Sequence, residues 1–104
     1  MTGPPTPLLR PMDATLDGYA WLPRMIDKSR ARRRGTLESI VHPCPVDKRC
    51  LARLGVAFST FTEIVGASKT DDEVLAGLRR HGIATAEDAW FDAVAYEEEL
   101  QRAA

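Results

Sequence analysis

The chain has 104 residues, 44% of them hydrophobic and 28% charged, with a formal net charge of -1 at neutral pH. A chain of this size fits one domain, buries about 60–70% of its unfolded surface, and has no room for a catalytic cleft between domains. Its apolar runs all fall short of the roughly 18 residues that a transmembrane helix requires, so a transmembrane helix is excluded.

The near-zero charge conceals a division. Residues 1–55 carry ten Lys or Arg against five Asp or Glu, whereas residues 56–104 carry four against ten. Basic and acidic elements packed side by side, or meeting across an interface between copies, account for this more simply than a nucleic-acid surface, which carries a clear positive excess. Pro4, Pro5, Pro7 and Pro11 crowd residues 1–13, a density that no continuous helix or central strand accommodates. An extended arm is expected there, with residues 14–104 forming a single domain. The same segment lacks the apolar stretch and cleavage site of a secretory signal. A cytoplasmic location is therefore the expectation, with both cysteines as reduced thiols.

In the run LDGYAWLPRMIDKSRARRR a helix is expected to start near Trp21 or Leu22, because Pro23 suits a first turn whose N–H groups have no intrahelical partner. Leu22, Met25, Ile26 and Ser29 share one side, the cations at Arg32 to Arg34 sit where the helix dipole favours them, and Gly35 permits a left-handed stop. GTLESIVHPCP reads as extended or turn, since His42 and Cys44 each precede a proline and are pushed away from the α region. A second helix is expected over Val46 to Leu54, with Pro45 at or just before its first turn. Phe58, Phe61, Ile64 and Val65 have helix-compatible spacing, although the Thr and Val content leaves a strand open. Thr70 with Glu73 forms a capping pair for a helix whose buried face is Val74, Leu75 and Leu78, and Gly82 with Ile83 reads as its stop. Thr85 opens a final helix with Ala89, Trp90, Ala93, Tyr96 and Leu100 on one broad face. With no convincing pair of alternating strands, the expected fold class is all-α: a small single-domain bundle of four to five short helices.

Candidate sites are few. Arg24, Asp27, Lys28 and Arg30 lie three or four apart, so Asp27 can pair with Arg24 or Arg30 on the helix surface, and Arg24 with Lys28 could form a phosphate-binding fork. A solvated charged face is the plainer reading. In VHPCPVDKRC, His42, Cys44, Asp47 and Cys50 are all metal-ligand types, but the spacing fits no usual signature and no metal is expected. Cys44 lies near a helix N-terminus with His42, Lys48 and Arg49 nearby, an environment that activates thiols, although burial is the commoner fate of such a cysteine and Cys50 reads as core. Residues 71–81 and 85–101 have the outline of a helix-turn-helix, yet Glu87, Asp88 and Asp92 would face phosphates. Arg30 to Arg34 are the remaining nucleic-acid surface, and no aromatic interleaves with them. Tyr19, Trp21 and Trp90 read as large core residues before they read as a ligand cage. No glycine-rich phosphate loop, GxSxG elbow or HExxH helix occurs, and no cofactor is expected.

The run LDGYAWLPRMIDKSRA, then GT, then HPCPVDKRCLARLGV, resembles a family of short bacterial proteins known as domain of unknown function 5069. The resemblance is specific from Leu16 to Val56 and looser beyond Phe58, and the chain departs from it in the basic triplet Arg32 to Arg34. It implies a compact, helical, bacterial intracellular domain and carries over no catalytic residue. The leading expectation is a non-enzymatic binding or interaction module, with a protein partner or a second copy of the chain. The alternative is a small-molecule binder or enzyme, for phosphate or carboxylate, with a pocket near Arg24, Asp27, Lys28, Cys44 and Asp47. Nucleic-acid binding through the basic helix end ranks last.

Overall fold

The computed structural model describes residues 8–103. Most of the proline-rich arm, residues 1–7, lies outside the described residues. A two-residue hairpin opens the fold: β1 (Thr15–Leu16) pairs antiparallel with β2 (Tyr19–Ala20), Leu16 opposite Tyr19. Asp17 and Gly18 join the strands at φ of 50° and 86°. This is the Asp-Gly, doubly left-handed geometry whose twist matches that of the strands. The hairpin corrects the expectation of no strand pair; it is too short for alternation to register, and only its turn dipeptide announces it.

Five helices of nine to thirteen residues and one single-turn helix follow. Helix α1 (Leu22–Arg34) has Pro23 in its first turn and Gly35 as a left-handed stop. After an irregular segment, α2 (Pro45–Leu54) starts at Cys44, whose sulfur accepts from the Asp47 N–H while the Asp47 carboxylate accepts from the Cys44 N–H. Thus Asp47 closes a capping box around a cysteine. Helix α3 (Phe58–Gly66) resolves the helix-or-strand choice in favour of helix. Helix α4 (Asp71–His81) carries the expected Thr70–Glu73 box and the Gly82 stop, whose N–H donates to Leu78 O at 3.1 Å.

The expected last helix is broken into α5 (Ala86–Ala89) and α6 (Ala93–Ala103). Arg53 supplies the reason. Its guanidinium donates to the carbonyls of Asp88, Ala89 and Trp90, taking acceptors that a continuous helix would use internally. Trp90 turns extended, and the Asp92 carboxylate caps the restart by accepting from the Ala95 N–H at 3.0 Å. Trp90 is consequently 52% exposed rather than buried.

Helix α1 packs on α3, α3 on α4, and α2 against α5 and α6. The core between them is Leu22, Met25, Ile26, Val46, Phe61, Val65, Val74 and Leu78, all at or below 2% exposure. Ser29 lies on the same buried side of α1, and Lys28 is buried with it. A polar group in such a core must find partners or forfeit its hydration energy, and those partners organise the site.

Candidate functional site

Asp47 is the centre of a buried polar network. It is 0% exposed. Its Oδ1 accepts from the Trp21 indole N–H at 2.7 Å, and its Oδ2 accepts from Lys28 Nζ at 2.7 Å and from the Cys44 N–H at 3.0 Å. The Nδ1 of His42 lies 2.9 Å from the same Oδ2. Trp21 sits at φ 69°, a left-handed conformation that costs a bulky residue about 1–3 kcal/mol; from there its indole reaches Asp47. Burial by itself raises the carboxyl, but the hydrogen bonds from His42, Lys28, Trp21 and the Cys44 N–H together outweigh it and hold Asp47 well below the usual carboxylate range.

The network extends in two directions. Toward α2, Lys28 Nζ also lies 3.4 Å from Cys44 Sγ. Toward α3, His42 Nε2 lies 2.7 Å from Ser29 Oγ, and the His42 ring meets Phe58 edge-on at 4.9 Å. An ionised carboxylate can only accept, so a neutral His42 carries its hydrogen on Nδ1 and offers Nε2 as acceptor. Ser29 therefore donates its hydroxyl hydrogen to His42, and Asp47, His42 and Ser29 form a directed chain. Arg32 braces it from outside by donating to His42 O at 2.8 Å.

Ser29 also reaches the floor of an open cavity of about 370 Å³ between α1 and α3, together with Arg32, Arg33, Phe58 and Thr62. Two guanidiniums and two hydroxyls line it, with no carboxylate among the described residues. Among the described residues, neither Arg32 nor Arg33 forms an ion pair. Gly66 makes the position of Arg33 possible: a Cβ built there would fall 2.3 Å from the guanidinium carbon. A larger cavity of about 560 Å³ beside α4 places Asp17 and Asp72 among Arg79 and Arg80. Its charges are balanced, and Arg79 already pairs with Asp17.

The residues singled out by sequence divide into two groups. Lys28, Cys44 and Asp47 come together, joined by His42. Arg24 and Asp27 lie in a separate cluster, where Asp27 accepts from Arg10 rather than from Arg24 or Arg30: its Oδ2 takes the Arg10 backbone N–H at 2.7 Å and its Oδ1 the guanidinium at 2.9 Å. Arg24 donates to the Arg10 carbonyl at 3.0 Å, and Asp71 joins Arg10 and Arg30. These contacts tie residue 10 to α1 and α4. Arg24 is engaged in this cluster, in which the buried Arg30 Nη2 is left without a partner among the described residues, and the Arg24–Lys28 fork does not form: Lys28 faces Asp47 instead. Lys28 also occupies the place between Asp47 and Cys44 where a cation would sit, and Cys50 is turned away, its sulfur toward Ala20 O at 3.7 Å. Burial pushes the Cys50 thiol up, reinforced by the Asp47 charge. Tyr19 and Trp21 are buried and hydrogen-bonded to Ala84 O and Asp47, while Trp90 is exposed, so the three do not form a cage.

Sequence reasoning missed Ser29, Phe58 and Thr62. The available signal was the serine on an otherwise apolar helix stripe, which demands a buried partner and so points to a histidine elsewhere in the chain.

The sequence matches the family described as Domain of unknown function (DUF5069) over residues 6–100, and the chain belongs to that family. No curated protein matches it.

Proposed function

We propose that the protein binds a small anionic molecule, bearing a phosphate or carboxylate group, in the cavity between α1 and α3. The observation that carries this reading is the lining itself: Arg32 and Arg33 without carboxylate partners among the described residues, beside the hydroxyls of Ser29 and Thr62. Guanidinium groups match the planar oxygens of carboxylate and phosphate, and a cavity of this size suits a ligand of metabolite dimensions. Phe58 gives the pocket an apolar wall, with the Arg32 guanidinium 5.8 Å from its ring centre. Preorganisation supports the reading as well. The Arg32–His42 carbonyl contact and the relief at Gly66 place both cations before a ligand arrives, which lowers the ordering cost of binding.

The small-molecule reading gains over an interaction module because only three large apolar residues are exposed among the described residues, Leu8, Val41 and Trp90, and a few such residues are ordinary on a protein surface. Thermal-shift measurements with inorganic phosphate and with short mono- and dicarboxylates test it. A binder at 100 times its Kd stabilises the fold by about 2.7 kcal/mol, so a saturating anion raises Tm of the natural chain by roughly 10 °C or more. The Arg32→Ala, Arg33→Ala double variant responds to none of them. An equal response in that variant, or no response of the natural chain to any anion at low salt, contradicts the proposal.

A further inference from the structure

We infer that Ser29 is a nucleophile and that the site hydrolyses small esters carrying an anionic group, an activity that rests on the anion-binding reading of the same cavity. Three observations converge. Ser29 Oγ is 2.7 Å from His42 Nε2 and His42 Nδ1 is 2.9 Å from Asp47 Oδ2, both within the reach that proton transfer and base orientation require. The carboxylate fixes the tautomer so that Nε2 faces the hydroxyl as acceptor, the arrangement in which a serine is activated by its neighbour. Ser29 lines the cavity in which Arg32 and Arg33 can hold an anionic substrate group.

The reaction balances with water alone. Ser29 Oγ attacks the ester carbonyl carbon as its proton passes to His42 Nε2. The bond from carbonyl carbon to alkoxy oxygen breaks, and His42 returns that proton to the departing alcohol. Water then attacks the acyl-serine, giving a proton to His42. The bond to Oγ breaks, Ser29 recovers the proton, and the carboxylic acid leaves. Asp47 positions the imidazole and stabilises its charged form throughout. The arginine guanidiniums are the donors on hand for the oxyanion, since the Thr62 hydroxyl already donates to Ser59 O at 2.9 Å. Because Ser29 is only 2% exposed, the reacting acyl group must be slim, of acetyl size, with the anionic group toward the cavity mouth.

The test uses the native chain and methanesulfonyl fluoride, a reagent of about acetyl size that transfers its sulfonyl group to an activated serine and releases fluoride. Peptide mapping is expected to place the adduct on Ser29 and not on Ser39, Ser59 or Ser68, with inorganic phosphate slowing the labelling. A general base contributes about 10²–10⁴-fold, so His42→Gln is expected to lower Ser29 labelling at least 100-fold while circular dichroism stays helical. If that variant does not fold, the position of the adduct in the natural chain decides alone. Adducts confined to the other serines, or none at all with p-nitrophenyl acetate turned over no faster than in buffer, overturn the inference. Phosphate raising Tm while Ser29 stays inert leaves the anion site standing and removes the nucleophile. Absence of any anion response together with an inert Ser29 removes both.

Discussion

Replacing Asp47 by Asn strikes the network at the one group that all its members share. Asp47 accepts from four donors at 0% exposure, and Lys28, 3% exposed, has no other carboxylate partner among the described residues. The amide removes the charge and directs an NH₂ group at donors. Removing one member of a buried ion pair costs about 3–5 kcal/mol, because the other charge is left uncompensated. For a domain of this length each kcal/mol lowers Tm by about 4–8 °C, so a fall exceeding about 12 °C is expected. Urea unfolding followed by tryptophan fluorescence reads the change, since Trp21 is buried in the folded chain and becomes exposed on unfolding. The pH dependence supplies a second check. Asp47 is held below its unfolded value, so its stabilisation is complete above an unfolded pKa of about 3.9 and is lost as pH falls below it. The gap between the natural chain and the Asn variant is therefore widest near neutrality and closes in acid. Lys28→Met removes the other charge, and the double variant should be more stable than the sum of the two losses by at least about 1 kcal/mol. A loss below about 1 kcal/mol for Asp47→Asn, or single losses that add within about 0.5 kcal/mol, would refute the view of a coupled buried pair.

Three further changes probe other parts of the account. Gly66→Ala pushes the Arg33 guanidinium aside, so anion affinity should fall about tenfold, the equivalent of 1.4 kcal/mol, while Tm holds or rises because alanine favours the helix; calorimetric titration beside a melting curve checks both. Arg53→Ala frees the carbonyls of Asp88, Ala89 and Trp90, and hydrogen exchange should accelerate in α5 and at the start of α6 with α4 unchanged. Phe61→Ala empties a fully buried position in α3 and should cost about 3–5 kcal/mol, measured by the same urea titration.

Helix ends were the most legible part of the chain, because caps and stops are local chemistry. Thr70 with Glu73, and the glycines at 35 and 82, mark boundaries that the fold reproduces. The break at Trp90 was hidden because its cause, Arg53, is more than thirty residues away and acts on backbone carbonyls. At the site, residue types were legible and partners were not. Lys28 stood out in the charged set on α1, and Cys44 and Asp47 as reactive or charged groups near a helix start, and the fold unites them. Asp27 looked equally suitable, yet Arg10 takes it from 17 positions away, a pairing that helical spacing cannot reveal. Ser29 looked like a minor member of an apolar stripe until His42 was placed against it.

The central claim, that the α1–α3 cavity receives a small anion, is tested most directly by titrating the ¹⁵N-labelled chain with inorganic phosphate at low salt and mapping amide and guanidinium shifts. The account predicts saturable shifts at Ser29, Arg32, Arg33 and Thr62, spreading to His42 through its hydrogen bonds, and absent from α4. Saturable shifts gathered instead around Arg79 and Arg80, or no saturable shift anywhere, would contradict it.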